Sequence, residues 1–265
     1  MKAFFRGNRH FIAFEQNIEG KYGTDRRMLF QIIPLQKVRG LMDSLSVISC
    51  AAAFLVAVIA FAYGAVRLLP VHTLAYFHFL IWGVACFALL CLSACVSSLC
   101  NIVYEPYVSL GSFGIVGVYI AFLCANFGVL DKTVDERTPD TRKARYLAFA
   151  APAAGTALIV RLCAEYFSEG RTASGILLIL LSIPMLFSCY LNVKHLMLPV
   201  DAMEILKATR GCNGMCLLFV LIEIFYMYAV AFDAVLFMNL FFFLHSVVLL
   251  LLMYFAVKGA EKWSL

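Results

Sequence analysis

Two residues carry groups that hydrocarbon rejects, and both fall in the last long apolar stretch, Cys212 to Val257: Glu223 and His245. Asp233 breaks that stretch into Asn213–Phe232 and Ala234–Val257. Each arm is long enough to cross a ~30 Å hydrocarbon core at about 1.5 Å per residue. The two arms are expected to form an antiparallel hairpin. Glu223 lies ten residues before the break and His245 twelve after it, so both sit roughly 15–18 Å from the turn. That is mid-membrane depth for each. A carboxylate there costs about 2.5–3.5 kcal/mol on insertion scales and should therefore face a cavity or a partner. His245 is the partner at matching depth. Such a pair can relay protons or coordinate a cation. Its structural alternative is a hydrogen bond that glues the hairpin, worth about 0.6–2 kcal/mol.

The other polar residues within apolar segments point to structure before chemistry. Arg161 and Glu165 are four apart and can share one helical face as a structural ion pair. His72 and His78 flank Tyr76 but stand six apart, which places them poorly for a common metal ion. Asn126 and Asn239 are isolated amides of the kind that hydrogen-bond between helices. Most of the ten cysteines sit inside apolar runs, where thiols behave as small hydrophobes. Cys91 with Cys95, and Cys212 with Cys216, share helical faces, yet neither pair has the further ligands that a zinc site requires. His-Glu-x-x-His, the phosphate-cradling Gly-x-x-x-x-Gly-Lys-[Ser/Thr] and Gly-x-Ser-x-Gly do not occur. In Thr172-Ala173-Ser174-Gly175, Thr172 stands where the Gly-x-Ser-Gly of intramembrane serine proteases needs glycine. The reading assigns no catalytic residue, cofactor or metal, and an intramembrane enzyme ranks last among the functions considered.

The elements that must position Glu223 and His245 are apolar helices. The chain is 63% hydrophobic and 14% charged, against about 25% charged in soluble domains, with mean hydropathy +0.91. Seven apolar segments follow one another: 45–69, 74–100, 107–130, 146–167, 173–192 and the two arms of the hairpin. The fold class is all-α, a polytopic integral membrane protein with six to seven transmembrane helices. It divides into a basic tail (1–44), a helical transmembrane domain (45–257) and a short polar C-terminal tail (258–265). Some 44 largely polar residues precede the first segment, so the N-terminus does not read as a cleavable signal peptide. Residues 1–15 form an amphipathic pattern, with Phe4, Phe5, Phe11 and Ile12 opposite Lys2, Arg6, Arg9 and His10. It suits a helix lying in the headgroup layer of anionic lipids. Thr24-Asp25 caps a second short helix that Pro34 should end.

Charge bears on topology. Seven straight crossings divide the 21 Lys and Arg as 10 on the N-terminal side and 11 on the other, which carries no orientation signal. If 107–130, with Gly111, Gly114, Gly117 and Gly128, re-enters instead of crossing, the division becomes 18 to 3 with both termini cytoplasmic. Those glycines serve equally well for close packing of an ordinary spanning helix. Length favours the spanning helix, and the 18-to-3 division favours six crossings plus one re-entrant or broken segment. Two inner loops then stand out. Thr138-Pro139-Asp140 is a helix start, and Pro199 precedes a short amphipathic segment bearing Asp201, Glu204, Lys207 and Arg210. The latter is a candidate docking loop for a cytoplasmic partner such as an ATPase or signalling subunit. Net charge +5 reads as topology and not as nucleic-acid binding. The expected function is a membrane permease or transport-associated subunit for a small solute or ion, with Glu223 and His245 at its polar centre. The alternative is a non-transporting sensor or accessory module that recruits a cytoplasmic partner.

Overall fold

The computed structural model describes residues 26–70, 74–100, 102, 106–130, 139–198 and 204–263. These residues form eight α-helices: α1 Arg26–Leu68, α2 Ala75–Leu99, α3 Leu110–Ala125, α4 Pro139–Ala148, α5 Ala150–Ser168, α6 Thr172–Met197, α7 Glu204–Ala231 and α8 Val235–Trp263. A single π turn, Asn126–Leu130, extends α3, and no strand occurs among the described residues. Seven stretches are long and apolar enough to cross a membrane: Leu45–Leu68, Ala75–Leu99, Gly111–Gly128, Arg142–Ser168, Thr172–Met197, Glu204–Ala231 and Val235–Lys262. The chain is thus an all-helical, multi-pass membrane protein. The interfacial helix expected over residues 1–15, together with His72 and Asp201, lies outside the described residues.

Local chemistry sets where these helices start and stop. Pro139 opens α4, as the Thr-Pro signal leads one to expect. Pro152 lacks an N–H and its ring crowds the carbonyl four residues back, at Ala148. The chain accordingly breaks at Phe149 and resumes as α5, two helices sharing one crossing. Alpha5 ends at Gly170 (φ 77), whose left-handed conformation lets Arg171 N–H reach the Tyr166 carbonyl. Asp233 does the same for the hairpin. At φ 52 it occupies the left-handed region that Asp tolerates, and Ala234 N–H closes back onto Ala229 at 2.9 Å. Pro34 does not stop its helix. Residues on both sides of it belong to the single 43-residue α1.

The segment 107–130 runs the length of the bundle. Its first turn, at Ser109 and Ser112, shares a cavity with Asp233, while Asn126 bonds to Asn192 and His195 at the far end of α6. The glycines serve contact with α2. A Cβ on Gly114 would lie 2.7 Å from the Cys86 carbonyl and 2.8 Å from Leu90 Cβ, and one on Gly117 2.7 Å from Cys86 Sγ. The re-entrant expectation therefore gives way to a spanning helix packed through small residues. The two ends of the bundle are distinct. Ser49 at the start of the first span donates to the Asn239 carbonyl at 3.0 Å, near the Asp233 turn. At the other end Gly259 of α8 packs directly on the Ala208 backbone, and the Tyr76 hydroxyl donates to Asn213 at 2.7 Å.

Candidate functional site

The hairpin delivers its two polar side chains to one point. His245 Nε2 lies 3.1 Å from Glu223 Oε2, with His245 1% and Glu223 4% exposed. The carboxylate stands off the ring N–H direction, so the contact is a close approach without an aligned hydrogen bond. A pair serving only as glue would be expected to align. The imidazole is instead held by rings, with Phe219 at 4.5 Å, Phe87 at 5.9 Å and Tyr226 at 6.0 Å between centroids.

Glu223 and His245 line a cavity of ≈ 360 Å³ that extends between α2, α3, α7 and α8 to the Asp233 turn. Asp233 is ten residues beyond Glu223 on the same wall, so the two carboxylates stand roughly 15 Å apart along the cavity. Serine hydroxyls from the end of α2 (Ser93, Ser97, Ser98) and the start of α3 (Ser109, Ser112) line the outer part. Tyr107 reaches over it from a strained turn. Its φ of 63 is unusual for a bulky residue. Ser112 Oγ donates to the Tyr107 carbonyl and stands 3.3 Å from Ser109 Oγ, which fixes that turn. Tyr107 Oη is buried without a hydrogen-bond partner, and its ring meets Tyr166 edge-on at 6.1 Å.

Below the pair, on the side away from Asp233, an aromatic cluster closes the cavity. Phe219 lies one helical turn from Glu223 and meets Phe87 at 5.7 Å, Tyr119 at 5.9 Å and Phe122 at 5.6 Å, all fully or almost fully buried. Beyond the cluster lies a second polar group that the sequence reading did not find. Asn126 Nδ2 donates to Asn192 Oδ1 at 3.2 Å, and Asn192 Nδ2 donates to the Ser188 carbonyl at 2.7 Å. His195 Nδ1 lies 2.9 Å from Asn126 Oδ1. That oxygen only accepts, so Nδ1 carries the hydrogen in this arrangement. Lys194 is 1% exposed beside them. The available signal was the i, i+4 spacing of Ser188 and Asn192 ahead of Lys194-His195, and the isolated amide of Asn126 four turns into an apolar helix. Asn239 also bonds between helices, to Ser46 Oγ at 3.1 Å.

Two other groups of candidates are placed differently from expectation. Arg161 is exposed and makes no ion pair with Glu165; the Arg-before-Glu order at i, i+4 is the weaker orientation. The arginine that pairs there is Arg171, 3.2 Å from Glu169 and 5.8 Å over the Tyr166 ring. Glu204, Lys207 and Arg210 do not form a separate short helix. They occupy the first turns of α7 as an exposed stripe, with Ile205, Leu206, Ala208 and Thr209 buried behind them. Their apolar neighbours found a core to join, which made the segment part of the crossing. Ser174 is buried in the first turn of α6 and does not line the cavity that His245 lines. Among the described residues no three His, Cys, Asp or Glu side chains cluster as a metal site.

Fold and site together define an integral, multi-pass helical membrane protein with a cavity that brings a buried carboxylate and imidazole into its apolar core. Compared with protein-family models, with curated proteins and with solved structures, the chain matches none.

Proposed function

We propose that this protein is a permease-type or transport-associated membrane subunit that admits a small solute to the Glu223–His245 centre. The observation that carries the proposal is the cavity of ≈ 360 Å³ reaching a buried carboxylate and imidazole in the middle of the bundle. Its size falls at the small end of ligand pockets, about 300–1,000 Å³. The order along the bundle also fits a transport path: an open half with serine hydroxyls, the Glu223–His245 pair, an aromatic cluster and a second polar group on the other side. A cavity with one closed end is one state of an alternating pathway.

The test is flux. Purified protein in proteoliposomes should carry at least one member of a panel of labelled small cations, anions and neutral solutes, and Glu223→Gln should abolish that flux while leaving the protein folded. Gln keeps hydrogen-bonding capacity but neither charge nor proton. If Glu223→Gln transports as well as the parent, the polar centre is structural and the permease reading falls.

The accessory-module reading has one observation of its own. Alpha1 continues as helix from Arg26 to the start of its span at Leu45, a projection on which a cytoplasmic partner such as an ATPase or signalling subunit could dock. Under either reading, sidedness follows from the number of crossings. Seven crossings, an odd number, put the two ends of the chain on opposite sides, and the Lys and Arg then divide 10 to 11 without a sign. Cytoplasmic placement of both termini holds only if one segment fails to cross.

A further inference from the structure

We infer that the ligand of this cavity is an organic ammonium ion, a deepening that rests on the cavity being a solute site. Three observations converge on it. Among the described residues, the acidic and basic side chains lining the cavity are Glu223, Asp233 and His245, and no lysine or arginine joins them. Anions meet no lysine or arginine among these residues, and two carboxylates. The walls are aromatic: Phe87, Tyr107, Tyr226 and Phe242 line the same space. Ring faces attract a cation whose charge is spread over C–H groups, and the attraction grows when water is excluded. Finally, the two carboxylates stand roughly 15 Å apart along the cavity, too far to share one bare metal ion. Calcium takes six to eight oxygens and magnesium keeps a hydrated octahedron, and no three metal-ligating side chains cluster among the described residues.

The parts take distinct roles along the cavity. Asp233 stands exposed at the turn, where its charge draws cations to the opening. Glu223, roughly 15 Å deeper, supplies the counter-charge where low-polarity walls make it strongest. Tyr107 Oη is buried without a partner and lends a lone pair to an ammonium N–H when the ligand carries one. The misaligned His245–Glu223 contact leaves the carboxylate oxygens open to a third group.

Binding of tritiated choline to the full-length protein in maltoside micelles, free of choline lipids, tests the inference without requiring flux. Tetramethylammonium should compete. The neutral isostere 3,3-dimethylbutan-1-ol, identical in shape, should compete about tenfold less well or worse. Glu223→Gln should weaken choline binding about tenfold or more, and Asp233→Asn should slow association at low salt only. Tyr226→Phe should bind normally while Tyr226→Ala binds weakly, a comparison that stands even if Glu223→Gln fails to fold. Equal competition by the neutral isostere overturns the inference, as does unchanged binding in both Glu223→Gln and Tyr226→Ala. Choline bound by a protein that carries no solute keeps this site and removes the permease reading. Solute flux without choline binding does the reverse.

Discussion

Phe219→Ala is the most informative single perturbation of this fold. The ring is fully buried and meets Phe87, Tyr119 and Phe122 at 5.6 to 5.9 Å and His245 at 4.5 Å. Each aromatic pair contributes about 0.5–1.5 kcal/mol beyond area burial. Truncating a core Phe in soluble proteins costs about 3–5 kcal/mol. In a bilayer the lost term is packing rather than transfer from water, so about 2–4 kcal/mol is expected here. The phenyl also packs between the His245 ring and the Tyr119 and Phe122 rings, so its removal opens space beside the Glu223–His245 pair on the side away from Asp233. Two readouts follow. The midpoint of unfolding in mixed micelles should fall by the amount given, and proteoliposomes should show a leak of protons or small cations that the parent lacks. Phe219→Leu should restore most of the stability and most of the seal. A Phe219→Ala protein with parental stability would refute the packing argument, and a tight one would refute the closure.

Three further predictions follow from the geometry. Gly114→Leu drives a side chain against the Cys86 carbonyl and Leu90 Cβ; it should lower stability in micelles by about 1–3 kcal/mol or prevent folding, whereas Gly128→Ala, with open space around it, should be tolerated. In a double-mutant cycle, Asn126→Ala and Asn192→Ala should couple by about 0.6–1.7 kcal/mol, because each removes the same 3.2 Å bond; strict additivity would mean that the bond contributes nothing. Single cysteines at Gly170 and Asp233 in a cysteine-free background should label from one side of the membrane and one at Lys207 from the other. Labelling of all three from one side would mean that neither α6 nor α7 crosses.

The hairpin was legible because hydropathy, a single charged break and matched depth all speak along one dimension. Counting residues from Asp233 is enough to put Glu223 beside His245, and the structure does put them together. The cavity was not legible, since its serines and Tyr107 come from loops and helix ends whose approach to α7 depends on packing. Glycine misled through its two uses. Gly111, Gly114 and Gly117 suggested broken backbone, but close contact with Cys86 and Leu90 explains them. The Asn126–His195 group went unread because its members lie 69 residues apart, and only the folded crossing of α3 and α6 makes one cluster of them. Pro34 shows the weakness of a local stop signal in a helix already committed on both sides.

The length of α1 gives the cavity mouth a mechanical consequence. The span begins at Leu45, and its first turn is tied to α8 through Ser46, Ser49 and Asn239, six residues after Asp233. Outboard of that tie the helix continues to Arg26, an arm of roughly 28 Å at 1.5 Å per residue. The tie holds the base of that arm to α8. A tilt of about 5° there sweeps the end of the arm through roughly 2.5 Å, given that length. A small tilt of α1 at the tie would thereby be magnified at the far end of the arm.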